Sequence, residues 1–349
     1  MIHFENDYSE GACKEIMQRL LETNDEQTSG YGTDSYSEHA KELIRKACKN
    51  DNTDVHFLVG GTQTNVTVIS SILKSYQGVL CAETGHINVH ETGAVESTGH
   101  KVLTLTGEHG KITADEIKRS YEEHINNEAY EHIVQPKMVY ISNPTELGTI
   151  YTKSELQEIS SICKECGLYL FLDGARLGYG LTAKGNDLTL SDIAHLTDVF
   201  YIGGTKVGAL FGEAVVIMND EIKKDFRYNI KQKGGMLAKG RLLGIQFETL
   251  FTNDLYFELA RHANDMAQLL REAFMNCGFQ FYVENNTNQI FVIMPDAILN
   301  KLAKSYCFSH EKRIDTTSYA VRFCTSFATK KEHVERLIKD LQIISMGTE

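Results

Sequence analysis

The sequence has no basic block: 35 Lys and Arg stand against 47 Asp and Glu, a formal net charge of -12. A nucleic-acid binder must neutralise a run of phosphates, so nucleic acid is not an expected partner. Nor is there any stretch approaching the roughly 18 to 20 uncharged apolar residues of a membrane span. The start, MIHFENDYSEG, lacks the basic-then-apolar layout of a secretory leader. A cytoplasmic protein is expected. Prolines number only three, and neither an internal repeat nor a low-complexity tract is present, which argues against a flexible multi-module chain. The eight cysteines form no framework, as suits reduced thiols. Only Cys163 and Cys166 stand close, in CKEC late in a helical stretch. With no second Cys or His pair at ligand spacing nearby, they read as structural thiols, and no metal is expected.

What is present is a chain of 349 residues, 42% hydrophobic, long enough for a sizeable core and for more than one domain. From about residue 50 to 220, short apolar β-rich runs alternate with helical segments. Strands are expected at 55–59, 78–82, 101–106, 137–142, 168–173, 198–204 and 214–218, and helices at 64–76, 113–127, 152–166 and 190–196. This alternation is the pattern of an α/β fold with a mostly parallel central sheet and helices on both faces. Beyond about 250 come a long helix (254–278), strands at 279–283, 289–294 and 319–327, and a last helix (330–344), the pattern of a smaller α+β unit. The expected division is a large domain over 1–250, including the N-terminal segment, and a small domain over 251–349.

In a parallel sheet, ligands bind at the carboxyl ends of the strands. Three pieces fall there. Asp173 ends the apolar run in LYLFLDGARLG; a buried carboxylate needs a cationic partner, although an Asp also turns chains and caps helices. Lys206, in YIGGTKVGALFGE, sits among glycines and apolar residues that would lower its pKa and free its amine for an aldehyde, or it is a surface lysine near a turn. In VHFLVGGTQTNVTVISS, the Gly60-Gly61 turn and Thr62 open a helix whose free amides favour a phosphate, a signal common to many α/β loops. Together they supply a phosphate cradle, a carboxylate for a pyridinium nitrogen and a lysine for an aldehyde, the three contacts that pyridoxal 5'-phosphate (PLP) demands.

Through GGTQTN (60–65), ETGHINVHETGA (83–94), LDGARLG (172–178) and GGTKVGALFGE (203–213), the chain resembles the threonine aldolases. These belong to the β-eliminating-lyase-like branch of the fold-type I PLP-dependent enzymes, and the likeness runs from FENDYSEG to VRFCTSF. It implies Lys206 as Schiff-base lysine, Asp173 as partner of the ring nitrogen, and Gly61 and Thr62 in the phosphate cup. His86 resembles the histidine that stacks on the ring near the substrate hydroxyl; by itself it reads as a hydrogen-bonded loop residue. Arg176 and Arg322 resemble the arginines that bind the substrate carboxylate, and an arginine in an apolar strand such as YAVRFCTSF wants an anion unless it faces outward at an edge. Asn6 stands where the family places a serine on that carboxylate. The loop GYGTDSYSEHAKEL (30–43) resembles one that carries a tyrosine, Tyr31 or Tyr36, across a subunit interface. The chain departs from the family in ISNPTELGTIY, where Thr145 and Glu146 replace a histidine that meets the hydroxyl. Lys231, Lys233, Lys239 and Arg241 are the candidates for the basic residue that a neighbouring chain lends to the phosphate.

The resemblance implies reversible cleavage of L-threonine or L-allo-threonine to glycine and acetaldehyde, with Lys206, Asp173 and His86 catalytic. Asn6, Tyr31, Glu146, Arg176 and Arg322 would meet the amino acid substrate in a homodimer or homotetramer with shared active sites. The same cofactor contacts would serve β-elimination, transamination or racemisation. A non-catalytic scaffold of the same fold is the rival from a different class.

Overall fold

The computed structural model describes residues 1–346 of the 349. Its main sheet has seven strands, β2 (Asp54–Leu58), β3 (Gln77–Ala82), β4 (Lys101–Leu105), β5 (Gln135–Ser142), β6 (Tyr169–Asp173), β7 (Val199–Gly203) and β8 (Glu213–Ile217), in the order β2-β8-β7-β6-β5-β3-β4. Only β8 runs against the rest, pairing antiparallel with both β7 and β2. The expected mostly parallel sheet is therefore present.

Both faces of the inner strands are buried, which is why β3, β7 and β8 are apolar almost throughout, while the outer strands β2 and β4 carry Asp54, His56, Lys101 and Thr104. Alternate residues go to opposite faces: Leu170 and Leu172 of β6 join one buried cluster and Phe171 the other, and Ala214 and Val216 of β8 part from Val215 and Ile217 in the same way. Ile16, Ala40, Ile44, Leu156, Ile159, Ile193 and Phe247 cover the first face from helices Lys14–Glu22, Ser35–Cys48, Lys153–Glu165, Leu190–Leu196 and Arg241–Phe251. Val68, Ile69, Phe226 and Ile230 cover the second from helices Gly61–Ile72 and Phe226–Gln232.

A second, four-stranded antiparallel sheet has the order β12-β13-β10-β9, formed by β9 (Phe281–Val283), β10 (Gln289–Pro295), β12 (Ser309–Arg313) and β13 (Ser318–Cys324). Its core includes Leu270, Phe274, Val292, Val321, Phe323 and Leu337. The long helix Leu255–Asn276 is common to both units: Tyr256, Ala260 and Ala263 belong to the main core, and Leu270 and Phe274 to the small one. The chain start joins the small unit as well, because β1 (Ile2–His3) pairs in parallel with β11 (Tyr306–Cys307) and Phe4 enters its core.

One local expectation is corrected. The segment 30–43 is a loop only as far as Asp34, whose carboxylate accepts from the Ser37 amide and caps the helix Ser35–Cys48. That cap, with Glu38 in the first turn, outweighs the loop-like composition. Tyr36 is therefore a helical residue, and its hydroxyl donates to Glu26 at 2.5 Å. No helix among the described residues is long and apolar enough to cross a membrane.

Candidate active site

The strand directions bring distant segments to one edge. Strands β3, β5, β6 and β7 are parallel, and β2 runs with them because it lies two antiparallel pairings from β7. Their carboxyl ends thus deliver Gly60–Thr62 after β2, His86 after β3, Glu146 after β5, Asp173 at the end of β6, and Lys206 after β7. These residues line one cavity of about 290 Å³ together with Tyr8, Ser142, Arg176, Tyr201, Thr205 and Glu213.

Asp173 is 4% exposed and has no cation within salt-bridge reach among the described residues. Neutral donors hold it instead: the Tyr140 and Tyr201 hydroxyls, the Asn65 amide at 3.2 Å and the Ala175 backbone N–H at 2.9 Å. A buried carboxylate so supplied lacks only a positive partner, which suits a pyridinium N–H. At Gly61, a Cβ would come within 3.2 Å of the Tyr201 hydroxyl, a tight contact, so a side chain there would push on the phenol that holds Asp173. The amides of that helix's first turn have no intrahelical acceptor, and no side chain caps them.

Lys206 is held on the other side by its backbone, since its carbonyl accepts from the Tyr179 hydroxyl. Its amine forms no ion pair within 4 Å among the described residues. Burial and then the Arg176 charge lower its pKa, against the pull of Asp7, Asp173 and Glu213. A lowered pKa brings the neutral amine, the form that attacks an aldehyde, closer to hand. Carbonyl-capturing lysine, carboxylate and bare helix N-terminus all open into the same space, so the donor set fits PLP.

Arg176 is locked by a residue that the sequence did not single out. Asp7, fully buried, takes its Nε at 2.7 Å and Nη2 at 2.9 Å, and accepts from Asn288 at 2.9 Å. Burial alone would raise the Asp7 pKa, but Arg176, Lys206 and the hydrogen bonds outweigh it, and the net shift is downward. Its contribution to stability is thus present above the ordinary value of 3.8 and is lost as pH falls through the lower folded value. Asp7→Ala leaves a half-buried guanidinium unpaired and is expected to cost about 3 kcal/mol, the low end for breaking a buried pair, measurable as a lowered denaturant midpoint. Because 169 residues separate the pair, no spacing rule could have found it.

His86 is oriented in a similar way. Its Nδ1 lies 2.7 Å from Oε1 of Glu91, which also accepts from Asn65, whose amide in turn reaches Asp173. Donation from Nδ1 to the carboxylate leaves Nε2 as the acceptor. The His86 backbone N–H donates to Glu146 at 2.9 Å, as does the Ser142 hydroxyl at 2.7 Å. Desolvation raises the Glu146 pKa, and the Asp173 charge adds to the rise. Oε2 of Glu91 is buried with no hydrogen-bond partner among the described residues.

Three expected site residues lie outside this cavity. The Asn6 side-chain oxygen accepts from the Tyr8 amide and the Ser9 hydroxyl, and its neighbours Tyr8 and Asp7 reach the site instead. Arg322 does lie within β13, but its guanidinium contacts Gln289, the Glu5 carbonyl, Ser309 and, at 3.5 Å, Glu311. Tyr31 lines a separate hollow with Lys41, His56 and Arg227, and Lys231 stands 5.0 Å from its ring centroid. Of the other basic candidates, Arg241 donates to the Glu26 and Asn24 carbonyls, and neither it nor Lys233 nor Lys239 lines the site. Cys163 is buried and Cys166 part-buried, and both are free thiols.

Comparison with known proteins gives the class first. The fold is that of the fold-type I PLP enzymes: an aspartate aminotransferase from Thermus thermophilus aligns over 99% of this chain and 91% of its own, with TM-score 0.72 and 14% identity, a likeness of fold alone. The family is narrower. The beta-eliminating lyase family model matches residues 4–297, and the chain belongs to that family. A solved threonine aldolase from Leishmania major is 44% identical, with TM-score 0.96, over 99% of this chain and all of its own. A low specificity L-threonine aldolase from a Pseudomonas species is 32% identical over 350 residues, 98% of this chain and 97% of its own length.

Proposed function

We propose that this protein is a PLP-dependent aldolase that cleaves β-hydroxy-α-amino acids, L-threonine or L-allo-threonine, to glycine and an aldehyde. The observation that carries the reading is the convergence of Lys206, Asp173 and the Gly60–Thr62 cradle on one cavity that also holds a carboxylate-oriented histidine. Threonine aldolase relatives over nearly the whole chain support it.

Lys206 would hold the cofactor's aldehyde carbon, Asp173 the protonated ring nitrogen, and Gly61 and Thr62 the phosphate. Bound there, the cofactor supplies a sink for the electron pair released when the Cα–Cβ bond breaks. Asp173 keeps the proton on the ring nitrogen by its charge. His86, its Nδ1 turned to Glu91, presents Nε2 to take the β-hydroxyl proton, and Glu146 borders the same space. Arg176 keeps Nη1 for the substrate carboxylate while Asp7 fixes its plane. Arg322 and Asn6, outside the cavity in the single chain, would join that clamp only by leaving the partners they hold here, and Tyr31, also outside it, would reach a neighbouring subunit's site. Orientation matters because only a Cα–Cβ bond aligned with the ring's π system breaks readily.

Among the described residues the cavity lining contains no lysine or arginine besides Lys206 and Arg176, which supports a homodimer or homotetramer in which a second copy lends the phosphate its cation. Eight free cysteines support a reducing, cytoplasmic setting.

The decisive assay gives purified holoenzyme L-threonine and L-allo-threonine and traps acetaldehyde. Acetaldehyde from neither, with cofactor bound, would sink the proposal; product analysis with serine, tyrosine and phenylserine separates elimination and transamination. A further expectation concerns Glu91→Gln. It loosens the His86 ring and should lower kcat about 10–100-fold with KM little changed and cofactor absorbance intact, as for other residues that orient an active histidine.

A further inference from the structure

Glu213 is a buried carboxyl, 3% exposed, that the reaction above does not use. It heads β8, the one reversed strand, and pairs with Gly203 of β7 on one side and Leu58 of β2 on the other. Those two strands lead directly into the lysine loop, Gly204–Lys206, and into the cradle, Gly60–Thr62. Glu213 therefore stands between the loops, on the wall of the same cavity.

Its hydrogen bonds have a definite direction. The Gly212 N–H donates to the Thr205 hydroxyl at 3.0 Å, and that hydroxyl donates to Oε1 of Glu213 at 2.8 Å. The Gly204 N–H donates to Oε2 at 3.2 Å. The Gly204 amide, which also donates to the Gly212 carbonyl at 2.9 Å, is thus shared between Gly212 and Glu213, and the Thr205 hydroxyl is taken up by Glu213, so neither is free for an anion in the cradle. Glu213 lines the same cavity as Gly61 and Thr62, so its carboxyl group borders the space of an anion held by their free amides. An ionised carboxylate would repel it, whereas a protonated one would donate to it.

From this arrangement we infer that Glu213 binds the cofactor phosphate as a neutral carboxylic acid, donating its proton to a phosphate oxygen. The inference rests on the PLP reading above. The charges facing Glu213 are Lys206 and Asp173, and the Tyr201 and Tyr256 hydroxyls face it as well. Burial dominates and pushes its pKa up to about 8, with Asp173 adding to the rise and Lys206 and the bonds from Thr205 and Gly204 opposing it.

The test is equilibrium dialysis of cofactor-free protein against pyridoxal 5'-phosphate and against pyridoxal, which carries the same aldehyde without the phosphate, from pH 7 to 9. The phosphate is already a dianion there, its second pKa being about 6. Wild type should lose about tenfold in affinity for the phosphorylated compound across this interval, one proton's worth, beyond any loss for pyridoxal. Glu213→Gln, a permanent neutral donor, should bind the phosphorylated compound within a few-fold of wild type at pH 7 and show no excess loss to pH 9. Glu213→Ala should bind it about tenfold more weakly at pH 7, with pyridoxal unaffected. The inference fails if wild type weakens equally toward both compounds, or if Glu213→Gln keeps the wild-type pH dependence. The wild-type comparison needs no variant, so it stands even where a substitution impairs folding. Failure of wild type to bind either compound would instead refute the PLP reading.

Discussion

Lys206→Ala is expected to abolish the absorbance band at about 420 nm that PLP gives when joined to a lysine amine, and to lower the cleavage rate by about 10²–10⁴-fold, the range for losing a group that moves protons at the reacting atoms. The amine of the half-buried Lys206 has no ion-pair partner within 4 Å among the described residues, and its pKa is lowered by desolvation and Arg176, so it is held ready as a nucleophile. Substitution by alanine removes that amine and little else. The backbone bond from the Tyr179 hydroxyl to the Lys206 carbonyl remains, and Gly204 and Thr205 stay clamped by Glu213. A desolvated amine contributes no favourable solvation, so the variant should fold with near-native stability. The spectrum and the thermal midpoint together check this: a persisting band would mean that the cofactor is attached elsewhere, and a collapsed midpoint would mean that the side chain is structural.

Asp173→Asn should retain the cofactor yet turn over about 10²–10⁴-fold more slowly. The substitution keeps the shape and an oxygen acceptor for one of the two phenols, which donate to different oxygens of Asp173, but it removes the charge assigned to the ring nitrogen. Breaking a buried charge pair costs about 3–5 kcal/mol, and each 1.36 kcal/mol on the barrier is tenfold in rate, which sets the size of the expected loss. The Lys206 band should persist in this variant, and that separates the two roles: the lysine captures the cofactor and the carboxylate keeps it electron-withdrawing. Turnover within tenfold of wild type would show that the four neutral donors around position 173, not its charge, are what the site requires.

Much of this was legible in the chain. The β-rich runs at 137–142, 168–173 and 214–218 are uninterrupted by charge apart from Lys137 and the terminal Asp173, because both faces of their strands are buried, and that pattern requires helices on two sides. Asp173 and Lys206 stood out because each ends or follows such a run with a charge that has no local partner. The segment 30–43 was harder. Its glycines and serines compose a loop, and only the Asp34 cap makes the second half a helix.

The sequence by itself determined the class of chemistry: periodicity sets where strands end, and a lone acid, a lone amine and a bare glycine turn at strand ends can be recognised one at a time. The tertiary structure alone decided the partners. Asp7 with Arg176, Glu91 with His86, the phenols on Asp173, and Glu213 between two loops are contacts across sheet order and strand direction. Their reason is electrostatic: inside a protein a polar group must find its complement wherever the fold brings one within about 3 Å, and no spacing along the chain encodes that meeting.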